Sequence, residues 1–161
     1  MAIDINEENN RAIIFKNQEH EMFYKNYLPK CRQQDVYHKA LVYCLGISGD
    51  TRRNIEHIFD FEKGSIKPKC LKEGWITSGS ARVVRMAFNL FCNGTPSIRG
   101  LEGKAKLEEC QHYTVENLFC CEYAVYFGEA VKVRYLVLRT ENPCANISVY
   151  FPDCTSPEYS T

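Results

Sequence analysis

The stretch DVYHKALVYCLGISGD, residues 35 to 50, is apolar on almost every side from Ala40 to Ile47. A helix without a polar face has to be covered all round, which places it in the middle of a helical bundle. Asp35 stands where an N-cap residue is expected, because its carboxylate can accept a hydrogen bond from a free N–H group of the first turn. The stretch therefore predicts a central helix that other helices surround.

The segments on either side of this helix also have helical spacing. NQEHEMFYKNYLPK, residues 17 to 30, places apolar residues three and four positions apart, with Asn17 as cap and Pro29 at the end. Gly49 ends the central helix, and Asp50 caps one further helix, TRRNIEHIFDF, which stops at Gly64. These segments predict one helix before the central helix and one after it.

Two longer helices are predicted further along the chain. GWITSGSARVVRMAFNLFCNG, residues 74 to 94, has Ser78 or Ser80 as cap and Gly94 in the left-handed position beyond its end. Thr114 caps VENLFCCEYAVYFGEAVKVRY, residues 115 to 135, as one helix that Gly128 bends. The turn-rich residues 95 to 111 between them form a long connection.

The predicted fold is mainly α, a compact bundle of about five to six helices with a short β-prone C-terminal extension. With 161 residues the chain is expected to form one domain. The helical domain covers residues 1 to 135. In residues 136 to 161, YLVLRT and ISVYF are β-prone and can pair as a hairpin, and TSPEYST is typical of a frayed tail.

Composition limits the functional classes. Twenty basic and twenty acidic residues give a net charge of zero, so no overall field attracts the chain to nucleic acid. The N-terminus lacks the basic start and apolar block of a signal peptide, and the longest apolar run is far shorter than the ~20 residues that span a bilayer. We expect a cytoplasmic protein without a membrane partner or cofactor, whose nine cysteines remain reduced.

The densest group of metal-ligating residue types lies in CQHYTVENLFCC. Cys110, His112, Cys120 and Cys121 offer the thiolate and imidazole ligands that tetrahedral Zn²⁺ prefers. Adjacent cysteines on a helix point about 100° apart, however, so only one of the last two is well placed. A zinc-stabilised interaction module is therefore the second alternative, and free thiols are the expected state.

A second constellation lies in RRNIEH. Arg52 and His57 resemble the Arg-x4-His signature of the all-helical HEPN ribonucleases, in which an Arg and a His at a dimer interface cleave RNA through its 2′-hydroxyl. The position after Arg52 is another arginine, where that signature usually carries a polar uncharged residue. A small metal-independent ribonuclease is the first alternative function, and a solvated helix face is the other interpretation.

A polar stripe interrupts the apolar helix of residues 78 to 92. Arg82, Arg85 and Asn89 follow one face of the helix, beginning just after the hydroxyl groups of Ser78 and Ser80. Guanidinium and hydroxyl groups beside a helix N-terminus can hold a phosphate or carboxylate. The stripe predicts a non-enzymatic accessory or regulatory protein that binds a protein or nucleic-acid partner on this Ser/Arg face.

Five segments occur in a familiar serial order: EHEMFY, DVYHKALVYCLGIS, TRRNI, GWITSGS and RMAFNLFCNG. Together they resemble an uncharacterised family of small cytosolic proteins from Gram-positive gut bacteria and their mobile elements. The resemblance covers about residues 15 to 135, and relatives in that family end soon after the equivalent of VRY at residues 133 to 135. It implies a role in a mobile genetic element but no chemistry.

Overall fold

The structure, a computed structural model, describes residues 12 to 94 and 110 to 135 and is mainly helical, as the sequence predicts. The seven α-helices in this part of the chain are α1 (Gln18–Tyr27), α2 (Val36–Gly46), α3 (Gly49–Arg53), α4 (Ile55–Ile58), α5 (Ser78–Cys92), α6 (Val115–Phe119) and α7 (Ala124–Tyr135). Short 3₁₀ helices cover Leu28–Lys30 and Pro68–Lys72. None of the helices in the described ranges is long and apolar enough to cross a membrane.

Helix α2 is the centre of the core, as predicted, but it ends at Gly46, and Gly49, the predicted end, is the first residue of α3. The Asp35 carboxylate accepts from the backbone N–H of His38, as expected of an N-cap. Every residue from Ala40 to Ile47 is buried. The helix packs against α1, α5 and α7, so that three other helices together cover its surface.

The prediction of one helix over TRRNIEHIFDF is wrong in both its start and its length. Ser48, not Asp50, is the N-cap, because its hydroxyl accepts from the Asp50 N–H at 3.2 Å. Asn54 breaks the helix, since its side-chain amide donates to the Asp50 carbonyl and its backbone leaves helical geometry. Phe59 then enters a two-stranded antiparallel hairpin of β1 (Phe59–Asp60) and β2 (Ser65–Ile66).

The single helix predicted from residue 115 to 135 is also divided. It is interrupted at residues 120 to 123, where the Cys121 thiol donates to the Leu118 carbonyl at 3.3 Å, and it is continuous through Gly128, where a bend was expected. The change of direction brings the rings of Phe119 and Phe127 together at a centroid distance of 5.9 Å. Leu118 and Phe127 can therefore both be buried.

Helix α5 begins and ends at different residues from those predicted. Thr77 is the N-cap, and its side chain exchanges hydrogen bonds with Ser80 in a capping box. At the other end Asn93, not Gly94, adopts the left-handed conformation, with φ 55°. Asn93 tolerates this conformation, and its side-chain oxygen accepts from the buried guanidinium of Arg134 at 3.1 Å.

Two predictions fall outside the described residues. The β-prone extension of residues 136 to 161 is one, and the connection over residues 95 to 111, apart from its last two residues, is the other.

Candidate functional site

The C-terminal end of α2 gathers polar side chains from two other helices. The last four carbonyls of a helix lack intrahelical donors and need partners when they are buried. Each of them has one here: Tyr43 accepts from His20 Nε2 at 2.7 Å, Cys44 from the Ile47 N–H at 3.1 Å, Leu45 from Thr51 Oγ1 at 2.6 Å, and Gly46 from Arg52 at 2.7 Å. This cluster satisfies the backbone and is structural.

His20 is the buried histidine of that cluster and is neutral. The Lys16 N–H donates to its Nδ1 at 3.2 Å, so Nε2 carries the proton that is donated to Tyr43. Burial lowers the pKa of His20 from an ordinary value of 6.5 to about 4, with smaller contributions from the charges of Arg52 and Lys16.

Arg52 and His57, the pair proposed for ribonuclease chemistry, face different partners within the chain. Arg52 bonds the Gly46 carbonyl and forms an ion pair with Glu19 of α1. His57 lies beyond the break at Asn54 and places its Nδ1 2.8 Å from a carboxylate oxygen of Glu73.

The indole N–H of Trp75, the only tryptophan, donates to that same Glu73 oxygen at 2.7 Å. The imidazole of His57 is thereby oriented on one wall of a shallow surface cleft of about 520 Å³. Arg52 does not line this cleft, whose walls are Glu56, His57, Lys67, Pro68, Lys69, Cys70 and Glu73.

The thiols at the core of the protein are unreactive. Burial raises the pKa of Cys31 to about 11 and that of Cys70 to about 12, and it raises the pKa of the fully buried Cys44 further still. A thiol with so high a pKa supplies almost no thiolate near neutral pH. These cysteines act as small apolar side chains.

The four residues of the zinc alternative occupy α6 and its flanks. Cys120 and His112 are exposed, whereas Cys110 and Cys121 are half-buried. Within residues 12 to 94 and 110 to 135, no three His, Cys, Asp or Glu side chains are grouped closely enough to hold a metal ion. The four side chains are thus not assembled into the tetrahedral arrangement that a structural zinc site requires.

A second, smaller cleft lies on the predicted Ser/Arg face. We call it the arginine cleft; it has a volume of about 260 Å³ and is lined by Ser78, Ala81, Arg82, Arg85, His112 and Asn117. Helix α5 forms one wall, and the segment from His112 into α6 forms the other. The Nε of Arg82 donates to the Asn117 carbonyl at 3.0 Å and ties the two walls together.

The cleft includes three of the five residues predicted for binding. Ser78, Arg82 and Arg85 line it, whereas Ser80 is buried in the capping box and Asn89 donates to the Gly94 carbonyl at 3.4 Å. Ser80 and Asn89 therefore serve the ends of α5. Of the lining residues in the described ranges, none is acidic, and the cleft presents cationic and neutral donors together.

Comparison with known proteins gives one match. The profile of a family of unknown function, DUF6075, matches residues 10 to 146. The chain belongs to this family. Searches of curated proteins and of solved structures found no match.

Family membership agrees with the resemblance seen in the sequence to an uncharacterised family over about residues 15 to 135. The matched range extends eleven residues past 135, into the segment predicted as an extension. Because the family carries no assigned activity, function has to be inferred from the geometry of the chain itself.

Sequence reasoning missed the second wall of the arginine cleft. The sequence indicates His112 only as a zinc ligand, and it gives no signal for Asn117. Arg82 and Asn117 are 35 positions apart and belong to different helices. No local spacing signals such a contact, because it depends on how α6 packs against α5.

Proposed function

We propose that this protein is a non-enzymatic accessory or regulatory protein that binds an acidic partner, a protein or a nucleic acid, in the arginine cleft. The observation that carries the proposal is the lining: two guanidinium groups, an imidazole and a hydroxyl converge, and none of the lining residues that the structure describes carries a carboxylate. Donors of this kind favour an anionic group because charge-assisted hydrogen bonds are the stronger ones.

Several finer points belong to the same proposal. The helices form a compact bundle of residues 1 to 135, with residues 136 to 161 as an extension. The protein acts in the cytoplasm as part of a mobile genetic element. The order of the five sequence motifs supports the mobile-element role.

Affinity capture from the native host tests the binding role. The double variant Arg82→Ala with Arg85→Ala should lose its partner, because each lost charge-assisted hydrogen bond contributes roughly 1.5–3 kcal/mol. The control variant is Arg32→Ala with Arg53→Ala, which removes the same charge from exposed positions outside the cleft. Circular dichroism of both variants checks that the fold survives. Capture that is equal for both variants would show that the arginine cleft is not the binding site.

Ribonuclease activity is the alternative, and the orientation of His57 by Glu73 favours it. A carboxylate that holds one imidazole nitrogen leaves the other to accept a proton from a hydroxyl group. Since Arg52 is engaged elsewhere in this chain, the complete pair needs a second copy of the protein. Incubation with structured RNA separates the alternatives: cleavage that disappears in His57→Ala would establish the enzyme and refute the non-enzymatic role.

A further inference from the structure

The arginine cleft is too small for a whole nucleotide and well matched to one functional group. Clefts that hold drug-sized ligands measure about 300–1,000 Å³, and this one is about 260 Å³. Among the residues that the structure describes, its walls also lack a Phe, Tyr or Trp ring. Single-stranded nucleic acids are held chiefly by bases stacked on aromatic side chains, so the cleft lacks the main feature of such a site.

The charge of the chain argues in the same direction. Double-stranded nucleic acid is bound by many cationic groups spread along its backbone. The chain has no net charge. The basic residues in the described lining of the cleft are Arg82, Arg85 and His112, which form a local group and not an extended surface. A partner that presents one concentrated negative charge fits this arrangement better than an extended polyanion does.

The geometry of Arg82 indicates which anion is preferred. Because its Nε donates to the Asn117 carbonyl, the plane of the guanidinium is fixed relative to α6. In the part of the chain that the structure describes, the two terminal nitrogens are the donors left for a ligand, and such a fork matches two oxygens of a phosphate. Ser78 and His112 line the same cleft and can donate to a third oxygen, which a phosphate has and a carboxylate lacks.

We infer that the arginine cleft binds a phosphorylated side chain of a protein partner. This inference rests on the proposed function and narrows it from any acidic partner to a phosphoprotein. Recognition of a phosphorylated residue by clustered arginines needs only one anionic group in a small cleft. Binding would therefore be controlled by the phosphorylation state of the partner.

Fluorescence anisotropy with the full-length protein tests the inference. The probes are a fluorescein-labelled peptide pool with a fixed phosphoserine between randomised positions, the same pool with serine, the same pool with glutamate, and a 12-nucleotide single-stranded RNA. The phosphoserine pool should bind at least about tenfold more tightly than the other three. Arg82→Ala should weaken its binding roughly 10- to 100-fold, whereas Arg32→Ala should leave it unchanged. Equal binding of the phosphoserine and serine pools, or tighter binding of the RNA, would overturn the inference.

A second arm separates failure of the inference from failure of the proposed function. Lysate treated with phosphatase or with nuclease is passed over wild-type protein and over the Arg82→Ala, Arg85→Ala variant. Capture that depends on the arginines and is lost only after phosphatase treatment supports both proposals. Capture that depends on the arginines but survives phosphatase overturns the phosphoprotein inference alone. Capture that does not depend on the arginines overturns both.

Discussion

Substitution of Gly46 by alanine tests how closely α1 approaches the end of α2. A Cβ at this position would lie 2.5 Å from His20 Cδ2 and 3.0 Å from Phe23 Cδ1, both on buried side chains. The first distance is far below van der Waals contact. Alanine can therefore be accommodated only if the His20 ring moves away from α2.

The expected cost follows from these contacts. Overpacking of a buried site costs about 1–3 kcal/mol, and a displaced His20 leaves the Tyr43 carbonyl without its donor at about 1–3 kcal/mol more. Alanine recovers about 1 kcal/mol over glycine through helix propensity. We expect Gly46→Ala to lower the free energy of unfolding by about 1–5 kcal/mol, against the 5–15 kcal/mol typical of a domain.

Gly128→Ala is the matched control. Gly128 lies within α7, and nothing stands within 4 Å of a Cβ built on it. The same substitution should raise stability there by about 0.5–1 kcal/mol. Urea unfolding followed by circular dichroism and by the fluorescence of Trp75 measures both variants. If Gly46→Ala is as stable as the wild type, the close approach of α1 to α2 is wrong.

A double-mutant cycle identifies the clash itself. In a His20→Ala background the ring that meets the new Cβ is gone, so Gly46→Ala should cost less than in the wild type. Residues in direct contact commonly couple by 0.5–3 kcal/mol. Additive effects would assign the loss to some neighbour other than His20.

Two further predictions concern the same helices. The free energy of unfolding should fall by about 3 kcal/mol between pH 6.5 and pH 4, because His20 takes up a proton near pH 6.5 in the unfolded chain and only near pH 4 in the folded chain. Urea titrations should show this loss of stability in the wild type and not in His20→Gln. An identical pH dependence in both proteins would contradict the prediction. Thr77→Ala should lower the free energy of unfolding by about 1 kcal/mol, because it removes the N-cap of α5, whereas Ser78→Ala should leave it nearly unchanged. A lower urea midpoint for Ser78→Ala than for Thr77→Ala would show that Ser78 is the cap.

Caps with one candidate residue could be predicted from the sequence, and caps with several could not. Asn17 and Asp35 each stand alone before an apolar periodic run, and both cap the helix predicted for them. Ser48 and Asp50 compete within a few positions, as do Thr77 and Ser78. The choice there depends on which side-chain oxygen reaches a free N–H group, and this is decided by how the preceding chain packs.

Burial of the central helix was predictable because it depends only on composition. The divisions at Asn54 and at residues 120 to 123 were not, since each arises from a side chain that bonds a nearby carbonyl. The free-energy difference between such a hydrogen bond and a helical one is small, so tertiary packing decides which of the two forms. The second wall of the arginine cleft was hidden for the same reason, because it is assembled from distant parts of the chain.

The residues of the five motifs differ in what the fold requires of them. The carbonyls at the end of α2 accept hydrogen bonds from His20, Thr51 and Arg52. Each carbonyl left without its donor would lower the free energy of unfolding by about 1–3 kcal/mol. These residue types are therefore explained by the fold alone, and they give no indication of a ligand.

The arginine cleft has no such structural explanation. The single bond from Arg82 to the Asn117 carbonyl could be made by any neutral amide of similar reach, and it uses only one of the five donors of a guanidinium. The charge of Arg82 therefore exceeds what joining α5 to α6 requires, and none of the lining residues that the structure describes is acidic. Because this surplus of positive donors is what a bound anion would use, the function of the protein is best sought at this cleft and not among the buried polar residues of α2.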